Sequence, residues 1–205
     1  MQTVVRKINT YKFNELPKNI QSDAIDYFRE DNLDYEWWDC VYEDFETICS
    51  IMGVKTAYKK IYFSGFSSQG DGACFEGTYS YKRGSVKAIK EFAPLDKTLH
   101  DIALNLAKLQ RKSFYRLEAS IKQSGHYYHC YCTNIEVSLN RENESRDYLS
   151  VTAEQENGIT EYLRDLMKWL YKTLENEYNY LQSDEAIKET IEANDYDFTE
   201  NGRLF

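Results

Sequence analysis

Three places in this chain bring together residue types that could do chemistry. The first is residues 61–77, IYFSGFSSQGDGACFEG. Apolar and aromatic residues run into a polar turn on Gly70, Asp71 and Gly72, and then resume. Asp-Gly between strand-like residues predicts a hairpin, because glycine supplies the positive φ that a tight turn needs. The turn is also more polar than a hairpin requires: Ser64, Ser67, Ser68, Gln69 and Asp71 stand among four glycines. Successive N–H groups of a glycine-rich turn can form a nest for an anion, but the Asp71 carboxylate would repel one. Ser68, Gln69 and Asp71 suit a sugar, a base edge or a partner backbone better. The competing reading is a structural hairpin whose Asp and Ser side chains satisfy its own amides. The segment matches neither the P-loop nor the dinucleotide-binding glycine pattern, so no cofactor is expected.

The second place is Gly125-His-Tyr-Tyr-His129. On a strand, His126 and His129 point to opposite faces, because side chains alternate with a period of two. With Cys130 and Cys132 they read H-x-x-H-C-x-C, which is no zinc spacing, so no metal is expected. A histidine beside Asp71 would make an acid–base pair, since imidazole titrates near neutrality. Ordinary strand-edge histidines and packed tyrosines, Tyr128 among them, are the plainer reading.

The third is an acidic helix. Between Asn14 and Met52 eleven acids stand against Lys18 and Arg29, a balance of −9 that equals the formal charge of the whole chain. Asp39, Glu43 and Glu46 form its outer stripe. Trp38 belongs to the core by helical phase, which leaves Trp37 lateral or outward, as an interface anchor would be. A merely solvated face is the alternative. Such acidity argues against a general nucleic-acid surface, which needs clustered Lys and Arg, and for a partner with a basic surface. Of the three places the turn is favoured over the acidic helix, because its polar content exceeds the needs of a hairpin.

These segments must be positioned by the rest of the 205 residues. Strands are predicted over 2–12, 58–66, 73–82, 114–122 and 127–139, the last with Ile135, Val137 and Leu139 alternating with polar residues. Helices are predicted from Leu16 to Arg29, Glu36 to Met52, Leu95 to Lys112, about Thr152 to Leu181, and Ser183 to about Ala193. In the helix at 36–52, Trp38, Val41, Tyr42, Phe45, Ile48, Cys49 and Met52 recur at helical spacing, with Gly53 as a C-terminal cap. Thr152 and Gln155 have capping-box spacing. Antiparallel pairs beside clustered helices give an α+β class: one domain over residues 1–205, an antiparallel sheet with helices mainly on one face, and an acidic helix and tail at 183–205. The expected core includes Trp38, Phe45, Phe63, Phe75, Leu106, Ile135, Leu166 and Leu170.

Five cysteines, an odd number without a C-x-x-C, predict reduced thiols, with Cys40 and Cys49 buried in their helix. No stretch reaches the roughly 20 apolar residues of a membrane span, and the N-terminus lacks a signal-peptide core, so a cytosolic chain without membrane contact is expected. No serine-hydrolase, zinc-protease or cysteine-protease pattern is present, and nothing forces an enzyme.

FSGFSSQGDGACFEG, GHYYH followed by a strand ending IEVSL, and the tail LQSDEAIKETIEANDYDFTENGRLF resemble a family of small bacteriophage and prophage proteins, from about Trp37 to Phe205. In that family the position of Ser67 is often Trp, so an aromatic wall beside the turn is missing here. The resemblance carries no activity. It implies an accessory protein of the host bacterial cytoplasm, in a class where counter-defence is common. The leading expectation is therefore a counter-defence inhibitor that binds a host protein stoichiometrically. The alternative is a small-ligand protein, a sponge or hydrolase of a nucleotide-like signal, using the S-Q-G-D-G turn and the nearby histidines.

Overall fold

Helices form where apolar residues recur at helical spacing, and they end where the sequence supplies a stop. In the computed structural model, which describes residues 7–31, 33, 35–140 and 150–205, the chain order opens with β1 (Tyr11–Lys12), α1 (Lys18–Asp31), α2 (Asp39–Met52), β2 (Val54–Lys55), β3 (Ile61–Phe63), β4 (Ala73–Phe75) and β5 (Gly77–Ser80). It continues with α3 (Ser85–Phe92), α4 (Lys97–Lys112), β6 (Leu117–Gln123), β7 (Thr133–Leu139), α5 (Ala153–Leu181), α6 (Asp184–Ala193) and β8 (Asp197–Phe198). None of the described helices is long and apolar enough to cross a membrane.

The end signals work as expected. Gly53 takes φ 86° and closes α2 with its N–H on the Cys49 and Ser50 carbonyls. The Thr152 N–H donates to Gln155 Oε1 at 2.9 Å, and the Gln155 N–H returns to Thr152 Oγ1 at 3.3 Å. Ser183 caps α6 through the Ala186 N–H at 3.2 Å. Asp96 caps α4 through the Leu99 N–H at 2.9 Å and accepts the Trp169 indole N–H at 2.6 Å. α3 was not legible as a separate helix: it is short and follows a left-handed Gly84.

The class is α+β, as expected, but the strands make three antiparallel sheets: β2-β5-β6-β7, β3-β4 and β1-β8. The expected strand at 73–82 breaks at Glu76, so that β4 pairs with β3 and β5 pairs with β2 and β6. Gly77 allows the change, since a Cβ there would lie 2.1 Å from the Lys55 carbonyl oxygen. The strand expected from 114 begins at 117 because Phe114 and Tyr115 have φ 54° and 64°. The strand expected from 127 begins at 133, and Tyr58–Lys60 form a 3-10 turn rather than strand. Of the strand expected over 2–12 only Tyr11–Lys12 forms among described residues; residues 2–6 lie outside them.

The chain builds two compact units, Trp38–Glu175 and Met1–Trp37 with Asn176–Phe205. In the larger, one face of the four-stranded sheet buries Tyr79, Leu117, Ala119, Ile121 and Ile135, while Thr78, Lys122, Asn134 and Glu136 are exposed on the other. Helices cover the buried face. Six of the eight expected core residues are buried; Trp38 and Phe63 are half-buried, with ring centroids 5.5 Å apart. In the smaller, Phe13, Leu16, Ala24, Ile187, Ile191 and Phe198 form the core.

A buried side chain splices α4 to the sheet. Gln110, fully buried, donates to the Leu117 carbonyl at 2.7 Å and accepts the Leu117 N–H at 3.1 Å. Gln110→Leu would leave both groups unpaired in a dry site, at roughly 1–3 kcal/mol each. A fall of at least about 2 kcal/mol in urea denaturation is expected, against less than about 0.5 kcal/mol for the exposed control Lys108→Ala.

Candidate functional site at the junction of two loops

The loop from Ser64 to Gly72 joins β3 to β4 and is longer than the tight Asp-Gly hairpin expected. It is closed at its base by the Ser64 N–H on the Gly72 carbonyl at 3.0 Å and by the Gly72 N–H on Ser64 Oγ at 3.3 Å. The positive φ belongs to Gly70, at 96°. Asp71 Oδ2 accepts the N–H groups of Ser67 at 3.1 Å and Ser68 at 2.6 Å, and the Asp71 N–H donates to the Ser68 carbonyl at 3.1 Å. The amides suited to cradle an external anion are thus taken by the loop's own carboxylate.

Residues 125–129 are not strand, so the expectation that His126 and His129 point to opposite faces of one is corrected. Gly125, at φ 91°, lets the chain turn, and His129 precedes a 3-10 turn over Cys130–Cys132. The Tyr131 N–H lies 3.4 Å from His129 Nδ1, which it reaches as a donor.

The two loops meet, and glycines make the meeting possible. A Cβ at Gly72 would lie 2.7 Å from His129 Cα and 3.2 Å from the Tyr128 carbonyl oxygen. A Cβ at Gly70 would lie 3.1 Å from Tyr127 Cδ1. Tyr128 stacks on Tyr62, with centroids 5.3 Å apart. Asp71, Gly72 and His129 line a cavity of about 80 Å³ together with Cys130, Lys168 and Tyr171. The Tyr171 hydroxyl donates to the Gly65 carbonyl at 3.1 Å, and burial, then the Asp71 charge, push its pKa up. Lys168 is bound to Asp165 at 2.9 Å. Such a cavity has room for a few waters and is well below the roughly 300 Å³ at which ligand pockets begin.

Outside this closed seam the surface is polar and aromatic. Ser67, Ser68, Gln69 and His126 are exposed, as are Tyr127 at 56% and Tyr131 at 59%. His126 contacts the Tyr127 ring edge-on at 5.6 Å. The Tyr131 ring stacks on His129 at 5.3 Å, with the Arg164 guanidinium 5.0 Å and the Lys168 ammonium 5.8 Å from its centroid. Tyr127, Tyr131, Arg164 and Lys168 were missed in the sequence. The only trace of the last two is their helical spacing of four. Among the described residues no group of three or more His, Cys, Asp or Glu could hold a metal ion.

The acidic helix is less available than its sequence suggested. Trp37 is 7% exposed and packs on Tyr178 at 5.7 Å, which corrects its expected outward placement. α2 begins at Asp39, so its phase does not reach back to Trp37. Asp39 accepts the Tyr58 hydroxyl. Glu43 is exposed and Glu46 half-buried. None of the five cysteines forms a disulfide; Cys49 is buried as expected, but Cys40 is exposed, on the outer side of the first turn of α2.

The chain is thus an α+β protein whose most distinctive sequence motifs meet in one loop junction. It belongs to the family of the domain of unknown function DUF8835, whose model matches residues 37–184 and so includes both loops. No curated protein and no solved structure matches the chain.

Two outcomes follow from this packing. Gly72→Ala forces the His129 backbone away and should cost roughly 1–3 kcal/mol, with new protease cleavage within 125–132. Gly70→Ala should cost only about 1–2 kcal/mol of left-handed strain and leave that segment protected. Separately, burial pushes the Cys74 thiol up to about 12. Iodoacetamide at pH 8 should therefore label Cys40 in the native protein and reach Cys49 and Cys74 only after denaturation, as peptide mass mapping would show.

Proposed function

We propose that this is a phage-encoded accessory protein of the bacterial cytoplasm, a counter-defence inhibitor that binds a host protein stoichiometrically through the outer face of the loop junction. The observation that carries the surface is the exposed set Ser67, Ser68, Gln69, His126 and Tyr127, held on loops whose backbones touch at Gly72 and His129. Tyr, Ser and Gly are the residues of recognition loops: tyrosine gives large contact area at low entropic cost, and serine gives adaptable hydrogen bonds. Loops already fixed by packing lose little freedom on binding. The phage assignment rests on the resemblance of the FSGFSSQGDGACFEG and GHYYH segments. The net charge of −9 favours a partner with a basic surface, which it would steer at long range.

The nucleotide-like alternative needs a pocket and an acid–base pair at the same place. The cavity there is about 80 Å³, His126 lies outside it, and Asp71 Oδ2 serves two amides of its own loop. The binding reading has the better support.

Immobilised protein, host lysate and mass spectrometry test it. Wild type should enrich one host protein at a fixed stoichiometry. Gln69→Ala with Tyr127→Ala should reduce capture at least tenfold, as loss of an interface hot spot does. Glu43→Lys with Asp44→Lys should retain capture but slow association and flatten its salt dependence. Capture that survives the loop variant, or that disappears with the helix variant alone, would overturn the assignment of the surface.

A further inference from the structure

A basic stretch of this acidic chain lies away from the junction. Residues 82–90 read KRGSVKAIK, with Lys82, Arg83, Lys87 and Lys90 and no acid. They lead into α3, whose start is left uncapped. Gly84 occupies the N-cap in the left-handed region, at φ 84°, and supplies no side chain. The Ser85 N–H reaches the Lys82 carbonyl at 3.3 Å, and the Lys87 and Ala88 N–H groups reach the Gly84 carbonyl at 3.1 and 3.0 Å. The Val86 N–H has no backbone partner among the described residues. A helix start with an open N–H group and a positive dipole end favours an anion.

Two independent features point to a ligand there. Ser85 is only 8% exposed, yet its hydroxyl, which lines a cavity, has no hydrogen-bond partner among the described residues. It is not one of the sealed, unpartnered side-chain atoms of the described residues, so it is open to a ligand in the cavity. The cavity itself measures about 550 Å³ and is walled by Tyr81, Gly84, Ser85, Lys87, Lys90 and Glu91. That volume lies within the range of small-molecule sites. Among the described residues Lys90 has no acidic partner, and Lys87 meets only Glu91, at 3.6 Å with both side chains exposed. Lys82 is directed elsewhere, to the Ser50 carbonyl at 2.7 Å. Tyr81 gives the cavity an aromatic wall, and its ring is backed by Tyr115 at 4.4 Å.

We propose that this cavity binds a mononucleotide-sized phosphate monoester. The phosphate sits at the N-terminus of α3, on the Val86 N–H and the Ser85 hydroxyl, with Lys87 and Lys90 neutralising its charge. The planar base lies against Tyr81. Glu91 releases Lys87 to the phosphate and then faces solvent. The site involves no residue of the loop junction, so its fate is independent of the host-protein reading.

Titration calorimetry at low salt with three probes tests this: 5′-AMP, ribose 5-phosphate and inorganic phosphate. AMP should bind about tenfold more tightly than ribose 5-phosphate, the difference being stacking on the ring, and added salt should weaken both. Lys87→Gln with Lys90→Gln, exposed positions that the fold tolerates, should abolish measurable binding of all three. Ser85→Ala should weaken them severalfold. Tyr81→Leu should remove the advantage of AMP and leave ribose 5-phosphate unchanged. Absence of heat with every probe at millimolar concentration would overturn the site, and so would AMP affinity indifferent to the lysine variant. Equal affinity for AMP and ribose 5-phosphate would overturn the nucleotide assignment.

Discussion

One close backbone contact holds the distinctive part of this molecule together. Gly72 lies against the backbone of Tyr128 and His129 at a separation that leaves no room for a Cβ. The contact joins segments more than fifty residues apart in sequence, and each is shaped by it. The β3–β4 loop cannot open without losing its floor, and the irregular run after Gly125 cannot become strand without lifting off Gly72. Side chains then complete the seam. Tyr127 covers Gly70, Tyr128 stacks on Tyr62, and Tyr171 reaches the Gly65 carbonyl.

This contact changes the meaning of the polar residues around it. Asp71 looks like chemistry in the sequence, but its Oδ2 fills the nest formed by the Ser67 and Ser68 amides. A carboxylate accepting such bonds stabilises the loop by a few kcal/mol at most, and it has little freedom to act as a base. The polar excess of the S-Q-G-D-G turn therefore divides. Ser64 and Asp71 build the loop, while Ser67, Ser68 and Gln69 present their side chains to solvent on a rigid frame. A rigid polar and aromatic surface suits recognition by contact, because the cost of ordering it has been met by folding.

Helices and caps were legible in the sequence because their causes are local. Gly53, Thr152 with Gln155, and Ser183 act within one turn of the element they end, and each behaves as its residue type dictates. Strand boundaries were less legible because their causes are distant. β4 and β5 separate at Glu76 since Gly77 meets Lys55, and β6 starts late since Phe114 and Tyr115 adopt positive φ, which their side chains do not favour. The junction itself was half legible. The composition of both loops marked them, but their convergence depends on glycines whose neighbours lie elsewhere in the chain. Trp37 was misplaced for a related reason. α2 starts three residues later than the periodicity predicts, so helical phase does not govern Trp37.

Charge placement bears on how the two surfaces would operate together. Acids concentrate between Asn14 and Met52 and after Ser183, whereas residues 82–90 carry only cations. At physiological ionic strength a charge is felt over about 8 Å. The overall negative field therefore repels polyanions at a distance, while the start of α3 still offers a single phosphate a locally positive site. A compact monophosphate meets only the local charge. On the proposed readings the same distribution would disfavour nucleic acid and favour a small anionic ligand at α3, with the tyrosine-rich loop junction as the surface for protein.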